Sequence, residues 1–277
     1  MRTLKLFFDT NLTSKLNGLY HDDVDRIMSM IAGRFKIVAS PTTFCELLDR
    51  LQGGDGSHFA SDKEAFNVMI GGGTIEFLPM PYAFALGMLL GLDSPQTSLS
   101  PTHFEMAVNC LFHAKCREDL FGMRVQIPGN GLCGFDPRGI RQSHEVGRAQ
   151  HREWLENIRD GSVKLLPPER WASAYATRWL GHSVTVEQSR RLADGLDAMY
   201  QYSKELCEIV MGGQPYNFEK HRGDWIDLQQ LHYLCDPSIH LLTDDGALRN
   251  RVKNSSQGDR VLDFRGFLKK HGLTPRH

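Results

Sequence analysis

Short, mostly apolar runs rich in Val, Ile and Phe recur at 4–8, 35–39, 75–78, 239–242 and 261–264. Their length and lack of polar alternation are those of parallel strands buried on both faces. Between the first two runs, Val24, Ile27, Met28 and Ile31 fall at i, i+3, i+4 and i+7, a helical stripe that closes at Gly33. This predicts a strand–helix–strand unit. After the second run, Ser40-Pro41 supplies an N-cap and a proline at the first helical position. The stripe then continues through Phe44, Leu47, Leu48 and Leu51 and ends at Gly53-Gly54. Near the C-terminus, residues 224–235 read as a helix with Leu228, Leu231 and Cys235 on one face, feeding directly into the run Ile-His-Leu-Leu. Strands from both ends of the chain are therefore expected to share one sheet.

The middle has a different texture. From about 93 to 213 strand signals are sparse. The best-marked element is a single long helix from Thr185, where Thr185-x-x-Gln188 forms a capping box. It carries Leu192, Leu196, Met199, Ser203, Leu206 and Val210 on one stripe and stops at Gly212-Gly213. The stretches 93–102 and 127–139 are rich in Gly, Pro and Ser and read as loops. We expect an α/β core built from 1–92 and 214–277, split by a mainly helical insertion over 93–213.

Composition adds limits. With 32 basic and 33 acidic residues the net charge is −1, so any polyanion must be met by a local patch rather than by a basic chain. Six scattered cysteines form no disulfide framework and fit a reducing compartment. The N-terminus runs straight into a strand without the layout of a signal peptide. No apolar stretch reaches the roughly 20 residues that a bilayer span needs. A soluble cytoplasmic protein is expected.

The chemistry lies in carboxylates placed at strand ends. Asp9 follows the first strand in Phe7-Phe8-Asp9-Thr10-Asn11, and Asp244-Asp245 follow Ile-His-Leu-Leu and Thr243. Glu46 lies in the second turn of the helix that leaves strand two. Asp224 and Asp227 share one face of the helix that precedes Ile-His-Leu-Leu. In open α/β sheets, sites form beyond the carboxyl ends of the strands, so four elements each deliver a carboxylate toward one rim. Gathered carboxylates repel one another and lose hydration unless a cation neutralises them. An all-oxygen donor set suits Mg²⁺ or Mn²⁺ over zinc, and such ions, about 3.5–4 Å apart when paired, serve phosphate chemistry. Taken singly, an aspartate after a strand is as often a helix N-cap or turn residue.

Three segments in this order carry a resemblance: the strand opening into Asp9-Thr10-Asn11, Glu46 within Ser-Pro-Thr-Thr-Phe-Cys-Glu-Leu-Leu, and Gly-Asp-Trp-Ile-Asp-Leu-Gln-Gln-Leu followed by Ile-His-Leu-Leu-Thr-Asp-Asp. The set resembles the PIN-domain nucleases. That resemblance implies a three-layer α/β/α fold with a central parallel sheet of order 3-2-1-4-5. It also implies a site in which four acids hold one or two Mg²⁺ or Mn²⁺ ions and cut RNA or structured nucleic acid. Motif by motif the acids fall on Asp9, Glu46, Asp227 and Asp245, with Asn11, Thr243 and Asp244 as auxiliaries. Gln229 and Gln230 stand where small residues usually follow the third acid, which keeps Asp224 beside Asp227 as a candidate ligand. The implied activity is that of an endonuclease, RNA being favoured over DNA. An antitoxin-like partner is not favoured, because the short toxin-like members lack the insertion; a homo-oligomer stays open.

Other features compete. Arg141, Arg148, Arg152 and Arg159 form a helical stripe interleaved with Glu145 and Glu156. Such a pattern usually marks a salt-bridged, solvated face; in a nuclease it would be the place to grip a phosphate backbone, with Arg249, Arg251 and Lys253 beside it. Trp171, Tyr175 and Trp179 recur at i, i+4 and i+8, the spacing of a core stripe more often than of a base-stacking platform. Cys110, His113 and Cys116 invite zinc, but i and i+6 are rotated apart on a helix and no CxxC occurs. A haloacid-dehalogenase-type phosphatase would need Asp-x-Asp where Asn11 stands. The non-enzymatic alternative is a catalytically silent PIN-like module that binds nucleic acid or protein.

Overall fold

The computed structural model describes residues 3–13, 16, 23–43, 46–47, 59–60, 63–64, 67, 76–92, 111, 113–120, 124–127, 131–134, 138–212 and 216–273. Five parallel strands form the central sheet: β1 (Lys5–Phe8), β2 (Lys36–Ala39), β3 (Glu76–Phe77), β6 (Ile239–Thr243) and β7 (Val261–Asp263). Their order is β3-β2-β1-β6-β7, the 3-2-1-4-5 arrangement expected above. Pairing puts Lys5 opposite both Lys36 and Ile239, and Phe8 opposite Leu242. The chain thus winds outward from β1 in one direction and returns on its other side through β6, so the topological switch point lies between β1 and β6.

Strand alternation divides the core into two layers. Leu6, Phe8, Ile37 and Leu242 face α1 (Val24–Ala32) and α9 (Phe264–Lys270), burying Ile27, Ile31, Phe264 and Phe267. Phe7, Val38, Ile239 and Leu241 face the other way. That second face is covered by α6 (Asp197–Met211), α7 (Asp224–Leu231), α8 (Gly246–Val252) and the C-terminal end of α3 (Arg138–Arg159). The remaining helices, α2 (Pro81–Leu90), α4 (Pro168–Leu180) and α5 (Val186–Gly195), share a satellite cluster through Leu86, Ala172, Ala176 and Leu192. Ser40 Oγ accepts from the backbone N–H groups of Thr42 and Thr43, as an N-cap should; Phe44, Leu48 and the Gly53-Gly54 stop lie outside the described residues.

Two expectations for the middle need correction. The stretch 127–139 is not a loop throughout: β4 (Arg124–Ile127) and β5 (Gly131–Gly134) pair antiparallel. The helix from Thr185 keeps its capping box, but it breaks at Leu196 into α5 and α6. A distant side chain holds the break. Gln257 donates to the carbonyls of Asp194 and Gly195 and accepts from the Ala198 N–H at 2.6 Å, replacing bonds that the break removes. Gly195 also lies so close to Leu89 that an added Cβ would stand 2.4 Å from it. Among the described residues, no helix is long and apolar enough to cross a membrane.

Candidate functional site

Asp9 lies at the C-terminal end of β1, 1% exposed. Its N–H donates to Leu242 O at 2.9 Å, and its carbonyl accepts from the Thr13 N–H, so it also opens a helical turn. Its carboxylate is held from two elements: Thr243 Oγ1 donates to Oδ2 at 2.8 Å, and Gln230 Nε2 to Oδ1 at 3.3 Å. Thr243 in turn accepts the Asp245 N–H at 2.9 Å. One hydroxyl therefore fixes the carboxylate after β1 to the backbone after β6. Asp245 caps α8, its Oδ1 accepting from Ala247 and Leu248 N–H groups at 2.7 and 3.1 Å. The modest reading of a strand-end aspartate as an N-cap is thus true of Asp245, and it does not exclude the other.

Electrostatics bind the acids into one group. Burial raises the Asp9 carboxyl above the usual aspartate range against the hydrogen bonds from Thr243, Gln230 and Asn11, and the Asp245 charge adds to the rise. Asp227 is raised well above it, by burial first and then by Asp9, with Asp224 and Asp245 adding and the Tyr202 hydrogen bond opposing. Like charges act this way only at short range in a poorly solvated place. The Thr243 hydroxyl links Asp9 to the Asp245 backbone at the switch point, and Asp227 lies within electrostatic reach of both acids. Glu46 stands half-buried on helical backbone at 46–47, Asp244 is half-buried and Asn11 is exposed; the leading charge effects on Asp9 and Asp227 come from other aspartates.

Asp224 has a different environment. Its Oδ1 pairs with Arg251 Nη1 at 3.0 Å and lies 3.1 Å from Tyr202 Oη, and its Oδ2 accepts from the Tyr216 hydroxyl. Both ends of the ion pair are nearly closed to solvent, with side chains 12% and 8% exposed. Tyr202 Oη accepts from Arg251 at 2.7 Å and donates toward Asp227 Oδ2 at 2.9 Å. The carboxylate of Asp224 is thus consumed by structural bonds, while that of Asp227 accepts one hydrogen bond from Tyr202 and feels the charge of Asp9.

Several side chains of this network carried no local signal. Gln230 was legible only as a departure from small residues. Tyr202 lies one position off the apolar stripe of α6, a tyrosine at i+3 from Met199, and its burial is the one hint available. Arg251 was grouped with phosphate-gripping cations; the structure instead buries it against Asp224.

The remaining expectations sort as follows. Arg152 pairs with Glu156 and Arg159 with Asp160, each at 3.0 Å, and the Arg152 guanidinium lies 4.9 Å over the Phe218 ring. These two arginines belong to the salt-bridged face. Arg148 is half-buried, and the Arg141 side chain lies outside the described residues. Trp179 stacks on Tyr82 with centroids 3.9 Å apart, and Trp171 packs on Tyr175 and Tyr200. His113 and Cys116 are exposed, whereas Cys110 lies outside the described residues.

Among the described residues, no three His, Cys, Asp or Glu side chains already stand at ligating distance from one point. The donor chemistry nonetheless suits a hard cation: the facing groups are oxygens, buried and mutually repelling. Gln230 Oε1, beside the Asp9 carboxylate, is buried with no hydrogen-bond partner in the described structure, an acceptor that a hydrated ion would satisfy. Set against protein-family models, curated proteins and solved structures, the chain matches none of them.

Proposed function

We propose that the chain is a metal-dependent endonuclease that hydrolyses phosphodiester bonds, with RNA as the favoured substrate and a site of the kind found in PIN-domain nucleases. The observation that carries this reading is the Thr243 hydroxyl linking the Asp9 carboxylate to the Asp245 backbone at the switch point of a parallel sheet of order 3-2-1-4-5, with Asp227 raised well above the aspartate range by burial and then by the Asp9 charge. Three segments far apart in sequence thus bring unneutralised acid to the one place where such sheets bind ligands. Asp9, Asp227 and Asp245, with Glu46 as the fourth acid, would hold one or two Mg²⁺ or Mn²⁺ ions. Bound there, the ion lowers the pKa of its water and offsets charge on the phosphate oxygens.

The chain's own residues prepare the site. Thr243 locks Asp9 to the Asp245 backbone, Gln230 orients the second Asp9 oxygen, and Tyr202 fixes Asp227. Asp224 acts through Tyr202 as an anchor rather than as a ligand. A second reading, a catalytically silent binding module, is favoured by the Tyr202 hydrogen bond to Asp227 and by the spacing of the described acids, which falls short of a ready-made cage.

The two readings separate in a cleavage assay. Single-stranded RNA, duplex RNA, single-stranded DNA and flap DNA are incubated with the protein in Mn²⁺ or in EDTA. Metal-dependent cutting, strongest on RNA and lost in Asp9→Asn, is expected; no cutting of any substrate, or equal cutting by the variant, favours the silent module.

A further inference from the structure

All four tryptophans of the chain, Trp154, Trp171, Trp179 and Trp225, line a single cavity of about 510 Å³. It opens between α3, α4, α6 and α7, lined from the last of these by Trp225 and Leu228 with His232 just beyond it, and the Asp224 of the Arg251 ion pair acts on its His151. The size is that of a small-molecule site, roughly 300–1,000 Å³. Its walls are mainly apolar and aromatic, with Leu165 and Met199 between the rings. Gly147 on α3 lets Trp225 lie against the helix, since an added Cβ would stand 2.7 Å from the indole.

The polar groups of this cavity are few and incompletely used. Tyr175 Oη and His151 Nε2 are buried with no hydrogen-bond partner among the described residues, and a buried polar atom left unpaired is costly. His232 Nδ1 lies 3.1 Å from two carbonyl oxygens, those of Leu228 and Gln229. That nitrogen must carry the proton, leaving Nε2 with a lone pair. Burial pushes both His151 and His232 down to about 4, so neither ring offers a positive charge at neutral pH. The cations at the mouth are Lys164 and Arg178, both exposed, and Arg178 is engaged with Gln150 Oε1 at 3.1 Å.

We infer that this cavity binds an uncharged, planar nitrogen heteroaromatic of purine size, stacked among the tryptophans and hydrogen-bonded to Tyr175 Oη and His151 Nε2. Flat rings gain most from aromatic walls. A ring edge that carries both an N–H and an acceptor nitrogen satisfies the two atoms that the protein leaves unpaired. The inference is independent of the acidic site, and Asp9→Asn is expected to bind the ligand as wild type does.

The four tryptophans also supply the test. In full-length protein labelled with ¹⁵N-tryptophan, the indole N–H signals are followed while adenine is added. Saturable shifts of all four signals with one dissociation constant are expected. Tyr175→Phe, which removes only the unpaired hydroxyl, should weaken adenine binding about tenfold, and Ala174→Phe at the exposed mouth should abolish it, with the circular dichroism spectrum of each variant unchanged. An oligoadenylate titrated in parallel separates the two sources of such a ring: tighter binding than adenine through the same signals points to a base of a single strand, and binding of adenine alone points to a free molecule. Shifts that do not saturate, or adenine binding that Tyr175→Phe leaves unchanged, would overturn the assignment.

Discussion

Asp9→Asn is expected to lower the proposed nuclease activity on the order of 10³-fold while making the metal-free protein more stable at pH 8. The loss follows from removing one charged ligand from a site where a bound ion would supply several kcal/mol of transition-state stabilisation, each ~1.4 kcal/mol being worth tenfold in rate. The gain follows from the raised carboxyls of Asp9 and Asp227. A carboxyl that holds its proton more tightly when folded than when unfolded contributes stability below its unfolded value, about 4 for aspartate, and that contribution fades as the pH rises through the folded value. In EDTA the wild type should therefore melt lower at pH 8 than at pH 5. Asp9→Asn should flatten that difference: the amide keeps one oxygen for the Thr243 hydroxyl, and Asp227 loses the like charge that raises it most. Thermal melts at the two pH values, with and without Mn²⁺, check both signs. A variant that is destabilised at pH 8 in EDTA would show that Asp9 is held by favourable bonds rather than strained by its neighbours.

Arg251→Met should cost about 3–5 kcal/mol, the usual consequence of breaking a buried ion pair by removing one partner. Asp224 would keep only the Tyr216 hydroxyl as a donor, and Tyr202 would lose the donor that fixes its own proton toward Asp227. Activity should fall with stability, because the third acid loses its support. Adding Asp224→Asn should restore part of the stability, a non-additivity expected of residues in one network. By contrast, breaking the exposed pair of Arg152 and Glu156 should cost only about 0.3–0.5 kcal/mol. Urea denaturation of the single and double variants measures these differences; an additive pair, or a cost for Arg251→Met below that of the surface pair, would mean that the Asp224 contact is not a structural anchor.

The parts of this architecture that were legible in the sequence are those decided locally. A buried parallel strand needs a short apolar run, and each of the five runs became a strand within one or two residues of its expected bounds. An acid immediately after such a run is carried to the sheet's C-terminal edge by geometry alone, which is why the sequence puts Asp9 and Asp245 at that edge. The parts that were not legible depend on partners distant in the chain. The break at Leu196 is held by Gln257, some sixty positions away, against a stripe that runs unbroken through Leu192, Leu196 and Met199. The role of Arg251 is set by Tyr202 and Asp224, and no window of sequence contains all three. The short antiparallel pair of β4 and β5 lacks the apolar run that marks the central strands. The choice between Asp224 and Asp227 could not be made by spacing, since both lie in the first turn of α7; it rests on which carboxylate the arginine occupies.

The central claim is that Asp9, Asp227 and Asp245 form one site that a divalent cation neutralises. Manganese binding read by electron paramagnetic resonance tests it directly, because the signal of free Mn²⁺ falls as the ion is taken up by protein. At pH 7.5 the wild type is expected to bind one or two ions, and both Asp9→Asn and Asp227→Asn to lose tight uptake while Asp224→Asn retains it. Equal Mn²⁺ uptake by wild type and by Asp9→Asn would contradict the account.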